Sequence, residues 1–418
     1  MPKLTDLAVD PQVGVIPKRC RRACHGLTQS FRVVLLLKAK GRYGRSIIEG
    51  VCDYVKSTRC GWEVLLEEDF RSHVECISDW DGDGVIADFD DPELLDLLVG
   101  GHLPVVGVGG SYQSNAAYLK GIPYVASDNP ALVRMAYEHL IDMGLSHFAF
   151  YSIVPTSHNR WAGEREKAFS CLVTADRHEV LVYRGIPTFA PDWTTIPENL
   201  ADWIKTLPKP VGIIAVTDSR ARQVMQACAS LGLSVPEEVA VIGIDDDPLM
   251  SLLNRIPLSS VAQGTHEMGR IAAQMLHRRL TSTLPVAPHQ TVLPEGVNAQ
   301  ASSLHKPLHD PYVMRAKHFI RQFAAQGIRA PQVADYVGVT RTTLDAHFLR
   351  ELGHTVHEEI FSFKLRQSQI LLKAGMLSYS KVAQCSGFTS LQYMYAVYKR
   401  EFGCTPVEYQ MRHQGNSL

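Results

Sequence analysis

No apolar run in the 418 residues approaches the roughly eighteen needed to cross a bilayer, and the early stretch Val33–Leu37 already ends at Lys38, so no membrane association is expected. Disulfide chemistry is equally poorly served. The nine cysteines are scattered and odd in number, which argues against a covalent framework and fits a reducing, cytoplasmic setting. Cys20, Cys24 and His25 have no second pair at finger-like spacing, so no metal is expected there. The first thirty residues hold the basic cluster KRCRRACHG but lack the apolar centre of a signal peptide, and read as a flexible tail. Net charge is also nearly absent, at −1, yet its distribution is uneven. From Pro311 onward 13 Lys and Arg face 7 Asp and Glu, a surplus that draws this quarter of the chain toward a polyanion.

The length predicts two or three domains. From Phe31, short apolar runs alternate with amphipathic stretches. FRVVLLL, WEVLLEE, DGVIADF, PVVGVGG, HFAFYSI, HEVLVYR, VGIIAVTD and VAVIGIDDD read as strands, several apolar on both faces, with helical spacing between them. This predicts parallel sheets flanked by helices, two in tandem, making a two-lobed α/β body over residues 31–293. A polar segment with three prolines, residues 294–311, reads as a linker. Residues 312–414 show only helical patterns, punctuated by glycines at helix ends.

That all-α end carries one unit twice. PQVADYVG and SKVAQCSG are short helices meeting a Gly-containing turn, after which Thr340 or Thr389 stands at the N-cap of a longer, basic-ended helix closed by HFLRELG or VYKREFG. Two such units form a double helix-turn-helix, whose second helices enter the DNA major groove.

In open parallel sheets, ligands bind beyond the carboxyl ends of the strands. Asp88, Asp90 and Asp91 follow VIAD, Thr217 and Asp218 follow IIAV, Asp245, Asp246 and Asp247 follow VIGI, and Arg160 and Arg165 follow HFAFYSI. Carboxylates and arginines converging on a cleft suit a sugar, whose hydroxyls both donate and accept. Trp161, Phe89 or Tyr43 are candidates to stack on its ring, while Asp91 before Pro92 fits a helix cap. Asp79, Asp81, Asp83 and Asp90 imitate a calcium loop, but Gly84 leads into a β-rich run instead of a helix, so no metal is expected. GVGG at Gly107–Gly110 marks a turn more than a phosphate loop. With no nucleophile beside a base and no cofactor motif, the chain does not read as an enzyme.

The segment Lys364–Gln410 resembles the signature of the AraC/XylS family of transcription activators, through Leu371-Leu372, Gly387-Phe388, Tyr398-Lys399, Phe402-Gly403 and Pro406. By match to that family's contact positions, Arg341, Thr342, Asp345 and Ala346 in the first unit, and Leu391, Gln392, Tyr393 and Ala396 in the second, face operator DNA. Gln392 suits adenine and the two alanines suit thymine methyls, whereas Arg341, Lys399 and Arg400 suit phosphate. Phe348, Phe388 and Tyr398 read as core.

PVVGVGG, YVASDN, RWAGEREKAF, GIIAVTDSRAR, VIGIDDDP and LSSVAQG resemble the LacI/periplasmic-binding-protein sensor fold. Joined to an AraC-type end, and with EEDFR and DGVIADFDD, the chain is similar to the family of xylose operon activators. The resemblance implies D-xylose as ligand in the interlobe cleft, a homodimer, and activation through RNA polymerase, with a different pentose or a sugar phosphate as the alternative ligand. It also implies that Asp245 is the sugar-binding aspartate, Gln263 the late glutamine of the site, and Arg160 or Arg165 its arginine. The sugar is then expected to close the lobes or change their pairing, favouring the state whose helices fit DNA.

Overall fold

A computed structural model describes residues 30–67, 80–98, 101, 103–112, 114, 118–185, 196–282, 287–305, 310–375 and 377–414. The basic tail with Cys20, Cys24 and His25, and Asp79 at the head of the calcium-like loop, lie outside the described residues.

The α/β part runs β1 (Arg32–Leu36), α1 (Arg42–Thr58), β2 (Glu63–Glu67), β3 (Gly84–Asp88), α2 (Pro92–Leu98), β4 (Val105–Gly110), β5 (Tyr124–Ser127), α3 (Asn129–Asp142), β6 (Phe148–Ile153), α4 (Arg160–Ala175) and β7 (Leu181–Gly185). It continues through α5 (Ile196–Thr206), β8 (Val211–Ala215), α6 (Asp218–Leu231), β9 (Val239–Ile244), α7 (Pro248–Leu252), β10 (Ser259–Ala262), α8 (Thr265–Thr281), β11 (His289–Val292) and β12 (Gly296–Asn298). Two six-stranded sheets result, ordered β11-β5-β4-β3-β1-β2 and β12-β10-β9-β8-β6-β7. All eight strands expected from sequence are present.

The tandem arrangement needs correction. β11 returns to the first sheet after β10 has been laid in the second, and β12 then comes back antiparallel to β10. The strands that escaped the sequence reading, β5, β10, β11 and β12, have four residues or fewer, too few for a period to register. The linker is corrected with them. Within it, Val297 pairs with Val261, and buried Ser302 accepts from Val241 N–H at 2.8 Å and donates to its carbonyl at 2.7 Å.

The fold divides into two compact units, one of residues up to Gly109 with Lys120–Val125 and His266–Gln290, the other of Gly110–Leu119, Ala126–Thr265 and Thr291 onward. In the second, one face of the sheet is covered by α3 and α4 through Leu132, Leu140, Phe169 and Val173. The other is covered by α5 and α6 through Leu200, Ile204, Val224 and Cys228. β8 and β9 are buried along their whole length, which is why they read as continuous apolar runs without alternation.

The helical end comprises α9 (Pro311–Phe323), a single 3-10 turn at Ala324–Gln326, α10 (Ala330–Val337), α11 (Arg341–Leu352), α12 (Val356–Ala374), α13 (Tyr379–Cys385), α14 (Leu391–Phe402) and α15 (Pro406–Gln414). The repeat is real, and each copy has its own core. Leu344 and Phe348 anchor α11 against α10, and Met394, Val397 and Tyr398 anchor α14 against α13. Thr340 caps α11 as expected, accepting from Thr343 N–H, but Ser390, not Thr389, caps α14, accepting from Tyr393 N–H at 3.1 Å. Either residue type serves an N-cap, so sequence alone left the boundary one residue early.

Two equivalent turn glycines have different surroundings. Gly338 (φ 87°) has open space where a Cβ would stand, while at Gly387 (φ 80°) that atom would lie 2.2 Å from the Ala324 carbonyl oxygen. Gly338→Ala is expected to cost about 1–2 kcal/mol, the usual penalty of a left-handed L-residue. Gly387→Ala adds a backbone collision and is expected to cost about 3 kcal/mol or more. Denaturation followed by amide exchange, in α10 and α11 for the first variant and in α13 and α14 for the second, checks this; equal costs at the two sites would contradict it.

Candidate functional site

In the second unit the strand ends converge on the Arg165 guanidinium. α4 places it there, 3% exposed, with Nε donating to Asn129 Oδ1 at 2.9 Å, one terminal nitrogen to the Val216 carbonyl at 2.6 Å, and the other to Gln263 Oε1 at 3.0 Å. Gln263 then donates from Nε2 to Asp245 Oδ1 at 2.6 Å. The ring of Trp161 lies 4.7 Å below the guanidinium. One cation thereby ties the first turn of α3, the end of β8, the end of β10 and the end of β9. Burial pushes the Asp245 carboxyl up to about 6, against the opposing pull of Arg165 and Gln263.

The backbone at Asp245 is strained. Asp245 and Asp246 have φ of 138° and 52°, a succession that L-residues rarely adopt and that is held here by Asp245 N–H donating to Val261 O and Asp246 N–H donating to Ser260 Oγ at 2.9 Å. Such strain persists only where the surroundings over-determine it, and it concentrates at ligand sites. Asp246 also accepts from Asn298 Nδ2 at 3.0 Å.

Other expected ligand residues also make bonds within the fold. Asp218 is 1% exposed and bonds Ser260 Oγ at 2.6 Å and Asp247 N–H at 2.7 Å; burial, then the neighbouring Asp245 charge, holds its carboxyl well above the ordinary range. It is a brace beneath β9. Gly243 leaves room for it, since a Cβ there would lie 2.1 Å from Asp218 Oδ1. Thr217 caps α6, and Asp247 caps α7. Arg160 lies 4.7 Å from the Tyr112 ring centroid, apart from the Arg165 chain, which separates two arginines the sequence left equivalent. Asn129 and Ser111 were missed. Asn129 is fully buried and is held by Ser111 through its backbone N–H and Nδ2, at 2.9 and 3.0 Å. An asparagine just before Pro130 looks like turn chemistry, so nothing marked it as the orienter of Arg165.

In the first unit, Asp88 ends β3, accepts Asp90 N–H at 3.0 Å, and is pushed up to about 7 by burial and by the Asp90 charge. Asp91 is a cap, as expected: it accepts Glu93 N–H at 3.2 Å and meets Lys38 Nζ at 3.1 Å. Phe89 is corrected from ring-stacker to core, being 1% exposed and packed on Tyr124. Both glycines ending β4 are sterically required. A Cβ at Gly109 would lie 2.1 Å from the Tyr124 hydroxyl, and one at Gly110 2.6 Å from Trp161 Cβ. In the described part of the calcium-like loop, Asp83 accepts Arg32 N–H at 2.8 Å.

The helical end presents two outer faces. Arg341, Thr342 and Ala346 are exposed on α11, and Gln392, Tyr393, Ala396, Lys399 and Arg400 on α14. Leu391 is only half-exposed and packs on the second core. Asp345 turns inward, accepting Val356 N–H at 3.0 Å while facing Arg341 Nε at 3.5 Å, so it joins the two helices. Phe348, Phe388 and Tyr398 are buried, as read from sequence. Between the units, α12 has 19 residues, about 28 Å of axis, comparable with the ~34 Å pitch of B-DNA.

A model of the periplasmic binding protein-like domain matches residues 137–303, one of the XylR N-terminal domain matches 32–130, and one of a helix-turn-helix domain matches 333–412. The chain is 43% identical over 383 residues to the xylose operon regulatory protein of Escherichia coli strain K12, covering 92% of this chain and 97% of that one. It is 38% identical to the protein of the same description from Haemophilus influenzae, covering 92% and 99%. A solved structure of the xylose-binding transcription activator xylR superposes with a TM-score of 0.82 at 41% identity, over 92% of this chain and 99% of the other. With strand ends gathered on one arginine in an α/β body, two exposed reading faces behind it, and kinship along nearly its whole length, the chain belongs to the family of xylose operon regulatory proteins, which are transcription regulators and not enzymes.

Proposed function

We propose that the α/β part, residues 31–293, binds D-xylose through Asp245, Arg165 and Gln263, and that the sugar changes how the helical end, residues 312–414, engages operator DNA. The observation that carries this reading is the Arg165–Gln263–Asp245 chain closing on a strained backbone. An ionised carboxylate accepts strongly from a hydroxyl, and a buried guanidinium holds it in place without moving. Asp88 and Asp90, at a strand end of the first unit, are ligand residues that we propose as well. Relatives described as xylose operon regulatory proteins and xylose-binding activators support the pentose. A homodimer acting with RNA polymerase in the cytoplasm is the working form we infer, since two copies carrying two readers each gain from linked binding.

On DNA, Gln392 reads a base edge while Lys399, Arg400 and Arg341 grip phosphate. Exposure of these side chains along the outer faces of α11 and α14 supports the division.

The proposal is tested by measuring operator affinity during titration with D-xylose, D-ribose and L-arabinose. D-xylose is expected to shift it most; equal affinity with and without every pentose would sink the reading. Sugar affinity is also expected to depend on pH. Because burial pushes Asp245 up to about 6, its ionised form prevails above that pH and is lost below it. D-xylose affinity should therefore weaken as pH falls through this value, by about tenfold per unit well below it, and the variant Asp245→Asn should bind weakly with a flat profile. Calorimetry between pH 5 and 8 decides. For the reader, Lys399→Ala should weaken all duplexes alike and lower the salt dependence by about one counterion, whereas Gln392→Ala should relax preference at one base position by about 1–3 kcal/mol. Binding to a randomised duplex pool at several salt concentrations separates the two.

A further inference from the structure

The helical end rests on the second α/β unit through α9, and the contact is made by charge more than by apolar packing. Arg321 of α9 forms an ion pair with Glu237, which stands just before β9; the two side chains are only 11% and 4% exposed. One turn earlier Lys317 faces Glu359 of α12 at 3.6 Å, and Glu359 in turn meets His354 Nε2 at 2.7 Å. Beyond α7, Arg255 lies 5.6 Å from the ring centroid of Phe323, the last residue of α9. Cavities flank these contacts. One of about 830 Å³ is lined by Glu237, Lys317, Arg321 and Glu359, and another of about 230 Å³ by Arg255, His318 and Gln322.

A seat of this kind has two properties that a close-packed apolar contact lacks. Its charges regain hydration when it opens, so the released state remains an accessible minority beside the seated one. While it is closed, removing one partner leaves the other buried and unpaired, so the pair decides whether the seat forms. Glu237 is also well placed to report on the sugar site. β9 is the six-residue buried strand that begins two residues after it and ends one residue before Asp245, a span of about 20 Å. Whatever tilts β9 at the strained Asp245 moves Glu237 with it.

We propose that Glu237 is a positioning residue: its ion pair with Arg321 seats the DNA reader on the sensor, and β9 connects that seat to Asp245. The part concerning sugar rests on the function proposed above. The seat is the two-state element that such coupling requires, sensed at one end of a strand and read at the other.

The test uses the full chain with the variants Glu237→Gln, Arg321→Met and the charge exchange Glu237→Arg with Arg321→Glu. Dyes placed by unnatural amino acids at the exposed positions Glu179 and Met411 report the distance between sensor and reader by energy transfer, without sugar or DNA. Wild type is expected to give one narrow distribution, each single variant a broad one, and the exchange a narrow one again. In parallel, the ratio of operator affinities with and without D-xylose should fall on the order of tenfold in the single variants and recover in the exchange, while D-xylose binding itself is retained. Narrow distributions in the single variants, or no recovery in the exchange, would overturn the proposal. A wild-type ratio of one with every pentose would instead remove the sugar reading, and the dye distances would still decide the seat. Loss of helical content in both single variants, with no narrowing in the exchange, would mark Glu237 as merely structural and also overturn it.

Discussion

The buried guanidinium of Arg165 is the constraint around which the second α/β unit is arranged. A planar fork with five N–H groups cannot sit in an apolar interior unless its acceptors come from several directions, and here they come from α3, β8 and β10. Each of those elements is thereby fixed against the others at the edge where ligands enter such sheets. The demand spreads outward. Asn129 must present its oxygen, so Ser111 holds its amide. Gln263 must present its own oxygen, which turns its Nε2 toward Asp245. Asp245 is then held in a backbone conformation that an aspartate would not choose. The stability cost of that geometry, of order 1–3 kcal/mol, is borne because the bonds around it leave Asp245 no other conformation.

Much of this architecture is legible in the sequence, and what was lost was lost for physical reasons. Buried parallel strands such as β3, β8 and β9 announce themselves as unbroken apolar runs, because both faces are covered. The repeated glycine turn and basic helix announce the double reader in the same way. Short strands make too few periods to detect, so β11, β12 and the return of the chain to the first sheet were invisible, and a structured connection looked like a linker. At the site, Asp245 and Gln263 could be matched by resemblance, but the choice between Arg160 and Arg165 could not, since both lie in the first two turns of α4. Only the fold shows that Arg165 enters the network while Arg160 lies against Tyr112. Asp218 carries a second duty that the sequence hid. An aspartate after an apolar strand resembles a ligand, and here a serine and an amide across the sheet edge also bond its two oxygens.

Corresponding residues in the two reader units do different work. Thr340 and Ser390 cap equivalent helices, but Asp345 ties α11 to the amide of Val356 while the second copy has Tyr395 at the equivalent place. The first reader is thus pinned to the start of α12, and the second reaches its far end through Ser368 and Tyr398, whose hydroxyls lie 2.7 Å apart.

Because α12 is one unbroken helix locked at both ends, the two readers behave as the prongs of a rigid gauge. A gauge measures spacing as well as content. Inserting half a helical turn of base pairs between the two segments it touches would carry one prong to the wrong side of the duplex, even with every base in each segment intact. The phase of the operator is therefore written into the length of a single helix, independently of any residue that touches a base.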